Sequence, residues 1–162
     1  FRRIEAVEFA VYNDDGRLPE NLTQADIVLV GISRTSKTPL SNYIAHRGYK
    51  VANVPLVKEV PPPRQLDDVD PRRVFALAVD PTVLVHVRRA RLDVMGVEAD
   101  AAYGDLSTIR EEMLWARRVF RDHPEWTIVD ITEKAIEESA AQIFEMYRER
   151  FEASAGAPQD EG

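Results

Sequence analysis

Cysteine is missing from the chain altogether, which excludes disulfides, thiolate metal sites and a cysteine nucleophile. Histidine is scarce, with three in 162 residues. His46 has no partner with the logic of a catalytic triad, so it reads as a surface residue near a helix end. No apolar run approaches a membrane span and no signal peptide is visible, so we expect a cytoplasmic protein without a membrane partner. Positive charge is in deficit: 21 Lys and Arg against 28 Asp and Glu leave a net charge of -7. That balance argues against general nucleic-acid binding, though not against local basic sites. There is no Asn-Lys-x-Asp motif of the kind that reads guanine, and no internal repeat. What remains, 44% hydrophobic and 30% charged, is ordinary for a globular chain long enough to bury one proper core.

The chain is organised around residues 25–41. Ile27 to Val30 is a short apolar run that reads as a buried strand. Gly31, Ile32, Ser33, Arg34, Thr35 and Ser36 follow as a polar loop, then Lys37 and Thr38, then an apolar pattern at helical spacing (Leu40, Tyr43, Ile44). This is the strand–loop–helix context of a phosphate-binding loop. Backbone N–H groups and a helix N-terminus face the phosphates, Lys37 reaches the terminal phosphoryl, and the Thr38 hydroxyl can hold Mg²⁺. The spacing fits G-x-x-x-x-G-K-[ST] except that Ser36 stands where the second glycine belongs. Lys37 is expected as an exposed lysine that contributes little to stability. The competing reading is a plain polar turn whose Lys and Arg are solvated.

Ahead of the loop, 1–10 mixes charge with Ile4, Val7 and Phe9, then reaches Val11-Tyr12-Asn13-Asp14-Asp15-Gly16, which reads as a helix or strand entering an Asp14-Asp15-Gly16 turn. Phosphoryl transfer to a hydroxyl calls for a carboxylate that accepts the proton and for carboxylates that help hold Mg²⁺. Asp15 is the favoured base or metal partner, with Asp14 close behind; a plain turn is the alternative. Beyond the loop we expect a helix over 40–47 closed by Gly48, and a strand over 49–57. An extended connector follows at Pro61-Pro62-Pro63, with Arg64 a candidate to reach substrate. A third strand is expected over 72–79, then a helix opened by Asp80-Pro81 that carries Val83, Leu84 and Val87. Asp80 has a metal-site reading, but capping suffices for it. In Arg88-Arg89-Ala90-Arg91, Arg88 and Arg91 are candidates to engage a phosphate on a partner, against a solvated helix face. Gly96 should end this helix. The next has Leu106, Ile109, Met113, Ala116 and Phe120 on one core-facing stripe, and Thr108 with Glu111 at the spacing of a capping box. A fourth strand over 127–131 and a helix over 135–151 complete the domain. The stretch 152–162 should be a frayed tail.

Gly-Ile-Ser-Arg-Thr-Ser-Lys-Thr-Pro-Leu-Ser from Gly31 to Ser41, followed by Asn42 to Pro55, resembles the pyruvate, phosphate dikinase regulatory protein family, whose close relatives regulate phosphoenolpyruvate synthase. Arg3 to Ala10 with Asp14-Asp15-Gly16, Tyr103 to Leu106 and Ile128 to Thr132 are similar to further segments, so the resemblance runs over about 1–151. Ser36 is what the dikinase branch implies, where the synthase branch more often has Gly. The resemblance implies a bifunctional enzyme. It uses ADP, with Mg²⁺, to phosphorylate a Thr of pyruvate, phosphate dikinase, and removes that group with inorganic phosphate, releasing pyrophosphate. Members carry an additional N-terminal domain, so the chain reads as a C-terminal fragment. A homo-oligomer is compatible with it.

Strands alternating with helices imply an α/β domain of the P-loop type. In it a mainly parallel sheet is covered on both faces, with ligand outside the carboxyl ends of the strands. Two other functions suit the residues: a small-molecule kinase, which the Arg cluster and short chain would fit, or a nucleotide-binding module without turnover.

Overall fold

The computed structural model describes residues 2–14, 19–95 and 105–155. Helix α1 (Arg2–Tyr12) and a 3-10 turn (Pro19–Gln24) lead into strand β1 (Ile27–Ile32). Then come α2 (Lys37–Ala45), β2 (Val51–Leu56), β3 (Val74–Ala78), α3 (Pro81–Met95), α4 (Leu106–Asp122), β4 (Thr127–Asp130) and α5 (Ile136–Ala155). The four strands form one sheet in the order β2-β1-β3-β4, and every neighbouring pair is parallel. Helices α1, α2 and α5 pack together, as do α3 and α4, with the sheet between the two groups. The three-layer α/β architecture expected from the alternation of elements is therefore present.

Every residue of β1 is buried, as its uninterrupted apolar run requires of a central parallel strand. Each large apolar side chain there contributes on the order of 1.5–3 kcal/mol through removal from water. On the α4 side, Ile109, Met113, Ala116 and Phe120 go into the core as their spacing predicts. At the edge the coverage stops: β4 alternates buried and exposed residues, with Ile128 half exposed. The sheet is thus not covered on both faces along its whole width.

Some boundaries differ from the sequence reading, for local reasons. Strand β3 starts at Val74 because Asp70 caps a 3-10 turn over Pro71–Arg73 and draws Arg72 into a 2.7 Å ion pair. The cap of α4 is Asp105, which accepts from the Ser107 N–H, while Glu111 pairs instead with Lys58 at 2.6 Å. Helix α5 continues through 152–155 to Ala155 rather than fraying at Glu152. On α3 the inward positions are Leu84, Val85 and Arg88, while Val87 is half exposed. Gly96, Tyr103, Gly104 and 156–162 lie outside the described residues.

The order of strands decides where a ligand can sit. From β1 the chain leaves towards β2 on one side, and from β3 it leaves towards β4 on the other. The carboxyl ends of β1 and β3 therefore flank a crevice between diverging connections, the usual ligand position in open parallel sheets.

Candidate phosphate-binding site

The β1–α2 loop occupies that crevice. Gly31 is required by packing, since a Cβ there would lie 2.9 Å from Thr35 Oγ1 and 3.3 Å from Leu77 Cβ. Thr35 Oγ1 is held in place by donating 2.7 Å to the Ile32 carbonyl. Two non-glycine residues of the loop adopt left-handed backbone, Arg34 at φ 66° and Ser36 at φ 61°. Ser36 thus stands where the general phosphate-loop pattern has glycine, in a conformation that glycine adopts at less cost. Helix α2 starts directly after it with no side-chain cap, which leaves the N–H groups of its first turn to a ligand. Pro39 is the third helical residue, where no N–H is needed. At the other end, Gly48 at φ 92° follows the helix, and His46 Nδ1 lies 2.6 Å from the Asn42 carbonyl, to which its N–H donates, as its cap-region reading implies.

The backbone conformation of Ser36 makes a prediction of modest size. Ser36→Gly should raise unfolding stability by up to about 1 kcal/mol, because relief of the left-handed strain outweighs the added freedom of the unfolded chain. Urea titration of the two proteins measures it, and a loss of stability would show that the Ser36 side chain holds the loop.

Lys37 departs from expectation. It is only 5% exposed, and Nζ donates 2.7 Å to the Ile32 carbonyl and lies 3.5 Å from Thr35 Oγ1. Its ammonium is thus folded back along the loop, inside the curve that phosphate would occupy. Around it opens a cleft of about 420 Å³ lined by Ser33, Arg34 and the residues from Ser36 to Pro39, by Pro55 of β2 and by Val87 of α3. Thr38 lines the same cleft and is exposed.

The structure brings Asp14 to this loop. The Thr38 hydroxyl donates to the Asp14 carboxylate at 2.9 Å from Oδ1 and 3.1 Å from Oδ2. Asn53 donates to Asp14 Oδ1 through Nδ2, and the same nitrogen lies 3.3 Å from Ser41 Oγ. Asp15, the carboxylate favoured from sequence, lies outside the described residues.

Arg88 is corrected. Its side chain is fully buried, paired with Glu112 of α4, and donates 3.2 Å to the Ser33 carbonyl. It braces the loop from beneath and does not reach out to a partner. Arg91 is exposed, as is Arg64. Asp80 is a helix cap, with Oδ1 accepting from the Thr82 N–H at 2.8 Å and the Thr82 hydroxyl at 2.7 Å. Those bonds hold its carboxyl below the usual aspartate range. Together with Asp130, Arg110 and Arg117 it lines a separate hollow of about 670 Å³ beside α4. Among the described residues no group of three or more His, Cys, Asp or Glu gathers as a metal cluster, and no helix is long and apolar enough to cross a membrane.

Residues 1–144 match the model of the kinase/pyrophosphorylase family. The chain belongs to this family. It is 49% identical over 152 residues to pyruvate, phosphate dikinase regulatory protein 1, chloroplastic, of Arabidopsis thaliana, with 93% of this chain and 38% of that protein covered. It is 52% identical over 152 residues to a protein of Sorangium cellulosum (94% and 54% covered) and 52% over 147 residues to one of Geotalea daltonii (91% and 55%). Both bacterial proteins are named for regulation of pyruvate, phosphate dikinase. The chain spans about half the length of these bacterial relatives and less of the plant one. The family match takes in the loop, Asp14 and Asn53 together, so these residues lie within the shared part of the family.

Proposed function

We propose that this chain is the phosphoryl-transfer part of a regulatory protein kinase and phosphorylase acting on a Thr of pyruvate, phosphate dikinase. The observation that carries the reading is the Asp14 carboxylate at hydrogen-bond distance from the loop hydroxyl of Thr38, on a chain whose relatives bear that regulatory name. In the forward direction the partner's Thr oxygen attacks the β-phosphorus of ADP. The bond to the bridging oxygen breaks, AMP leaves, and the hydroxyl proton passes to a carboxylate of the Asp14–Asp15 pair. In reverse, an oxygen of inorganic phosphate attacks the phospho-Thr phosphorus. Pyrophosphate forms, and the Thr oxygen takes the proton back. Lys37 and the N–H groups opening α2 stabilise the phosphate charge in both directions. We place the reaction in the cytoplasm.

Asp14 and Thr38 offer hard oxygen donors side by side, the donor type Mg²⁺ takes alongside substrate phosphates and water. Those two side chains would hold the ion, which when bound neutralises charge between the phosphoryl oxygens. The chain's own contribution is to aim a carboxylate at the loop.

Incubating the protein with ADP and purified dikinase, and separately with phosphoenolpyruvate synthase, should yield phospho-Thr on the dikinase alone, together with AMP, by mass spectrometry. ATP consumption on a small-molecule acceptor, with no phospho-Thr from ADP on either enzyme, would replace this reading with that of a small-molecule kinase.

A further inference from the structure

Asn53 is the one polar side chain on β2, in the run Val51-Ala52-Asn53-Val54-Pro55-Leu56, and it is 1% exposed. Asparagine is depleted from strands, and burying an amide is costly unless its hydrogen bonds are made. This one makes them towards the loop site. Nδ2 donates to Asp14 Oδ1 and reaches Ser41 Oγ on α2, while the Asn53 backbone N–H donates 3.4 Å to the Asn13 carbonyl. One residue of the sheet thus fixes both the backbone and the carboxylate of the segment that follows α1.

We propose that Asn53 is a positioning residue that holds the Asp14 carboxylate ready for a divalent cation on the loop. The inference rests on the functional reading above and adds a residue to it. The chemistry of the amide explains the choice. A lysine or arginine at this position would orient Asp14 equally well, but it would cancel the carboxylate's charge and repel a cation. A hydroxyl could turn and donate elsewhere. An amide N–H fixed in the sheet donates without bringing a positive charge to Asp14, and both carboxylate oxygens stay within reach of the Thr38 hydroxyl. The Ser41 contact uses the same nitrogen and limits rotation of the amide.

The test reads cation loading directly. Mn²⁺ is titrated into the protein with ADP present, free Mn²⁺ is followed by its paramagnetic resonance signal, and ADP affinity is measured separately in EDTA. Asn53→Leu should weaken Mn²⁺ binding by about 10- to 100-fold, the usual cost of losing a group that orients a metal ligand, while ADP affinity in EDTA stays within about twofold of the parent on the same physical argument. Asn53→Ser carries the measurement if the leucine variant does not fold. Its shorter side chain loses the reach of the amide, so Mn²⁺ binding should weaken in the same direction. A folded Asn53→Leu protein, or in its place a folded Asn53→Ser protein, that loads Mn²⁺ like the parent overturns the proposal. So does a parent that takes up no Mn²⁺. Because loading is measured without any transfer, a chain whose Mn²⁺ binding depends on Asn53 yet which never phosphorylates the dikinase would refute the kinase reading alone.

Discussion

Glu112→Ala should destabilise the protein by about 3–5 kcal/mol, the range for removing one partner of a buried ion pair. Glu112 is itself 22% exposed, so its own desolvation is modest; the cost arises at Arg88, which is 0% exposed. A guanidinium cannot discard its proton to escape burial. With the carboxylate gone, its charge stays in the core without its counter-charge, and the Ser33 carbonyl that it holds at 3.2 Å loses a fixed donor. Urea unfolding measures the loss, and a change below about 1 kcal/mol would mean that water reaches the guanidinium freely. The companion experiment replaces both partners, Arg88→Met with Glu112→Leu. Stability should largely return, because no charge is then left buried, but the loop would have lost its brace. Phosphate-dependent activity should therefore stay low in the double variant while its melting is restored.

Lys37→Met should reduce ADP-dependent transfer by about 10²–10³-fold, the scale for removing one preorganised donor from a developing charge. Its burial changes what else is expected. Because Nζ donates 2.7 Å to the Ile32 carbonyl, loss of a charged hydrogen bond should also cost about 1.5–3 kcal/mol of stability. Thr35 still serves the same carbonyl at 2.7 Å, which favours the lower end. Calorimetric melting and single-turnover transfer at saturating ADP separate the two effects. Full transfer by a folded Lys37→Met protein would remove Lys37 from the phosphate site.

These two lysine and arginine positions show where sequence reading stops. The loop itself was legible, since a four-residue apolar run, a glycine and a Lys-Thr pair before a helical pattern leave few alternatives. The inward fold of Lys37 was not, because nothing in Arg-Thr-Ser-Lys says which cation turns back onto its own carbonyls. Arg88 sits in Arg-Arg-Ala-Arg, a run that looks solvated throughout. Its burial follows from the helical phase it shares with Leu84, four residues earlier. The pair Asp14-Asp15 was legible as chemistry, yet the contact from Asp14 to Thr38 spans 24 residues and depends on how α1 packs. Asn53 carried a signal that was passed over: a lone amide inside an apolar strand. The exposed face of β4 was foreshadowed by Asp130 and Thr132 around Ile128, where the fully apolar pattern of β1 is absent.

The packing of α1 has a consequence for how steadily Asp14 stays in place. That helix is fully buried at only two residues, Ala6 and Ala10, which meet Ala45 of α2 in a small apolar cluster. Ile4, Val11 and Tyr12 point to solvent. Two alanines, with Val7 and Phe9 only partly buried against the core, remove less apolar surface from water than the leucines and isoleucines that seat the strands, on the order of 0.8 kcal/mol per methyl-sized group. Detachment of α1 is therefore expected to cost less free energy than global unfolding, which native-state hydrogen exchange of its amides would measure. Each such excursion carries Asp14 away from Thr38 while the loop and sheet stay intact. Nucleotide phosphates would then meet a formed cradle at all times but a complete set of carboxylate and hydroxyl only part of the time. A ligand that bridges Thr38 and Asp14 would in turn restrain α1, so occupancy of the loop and order of the first helix are thermodynamically linked.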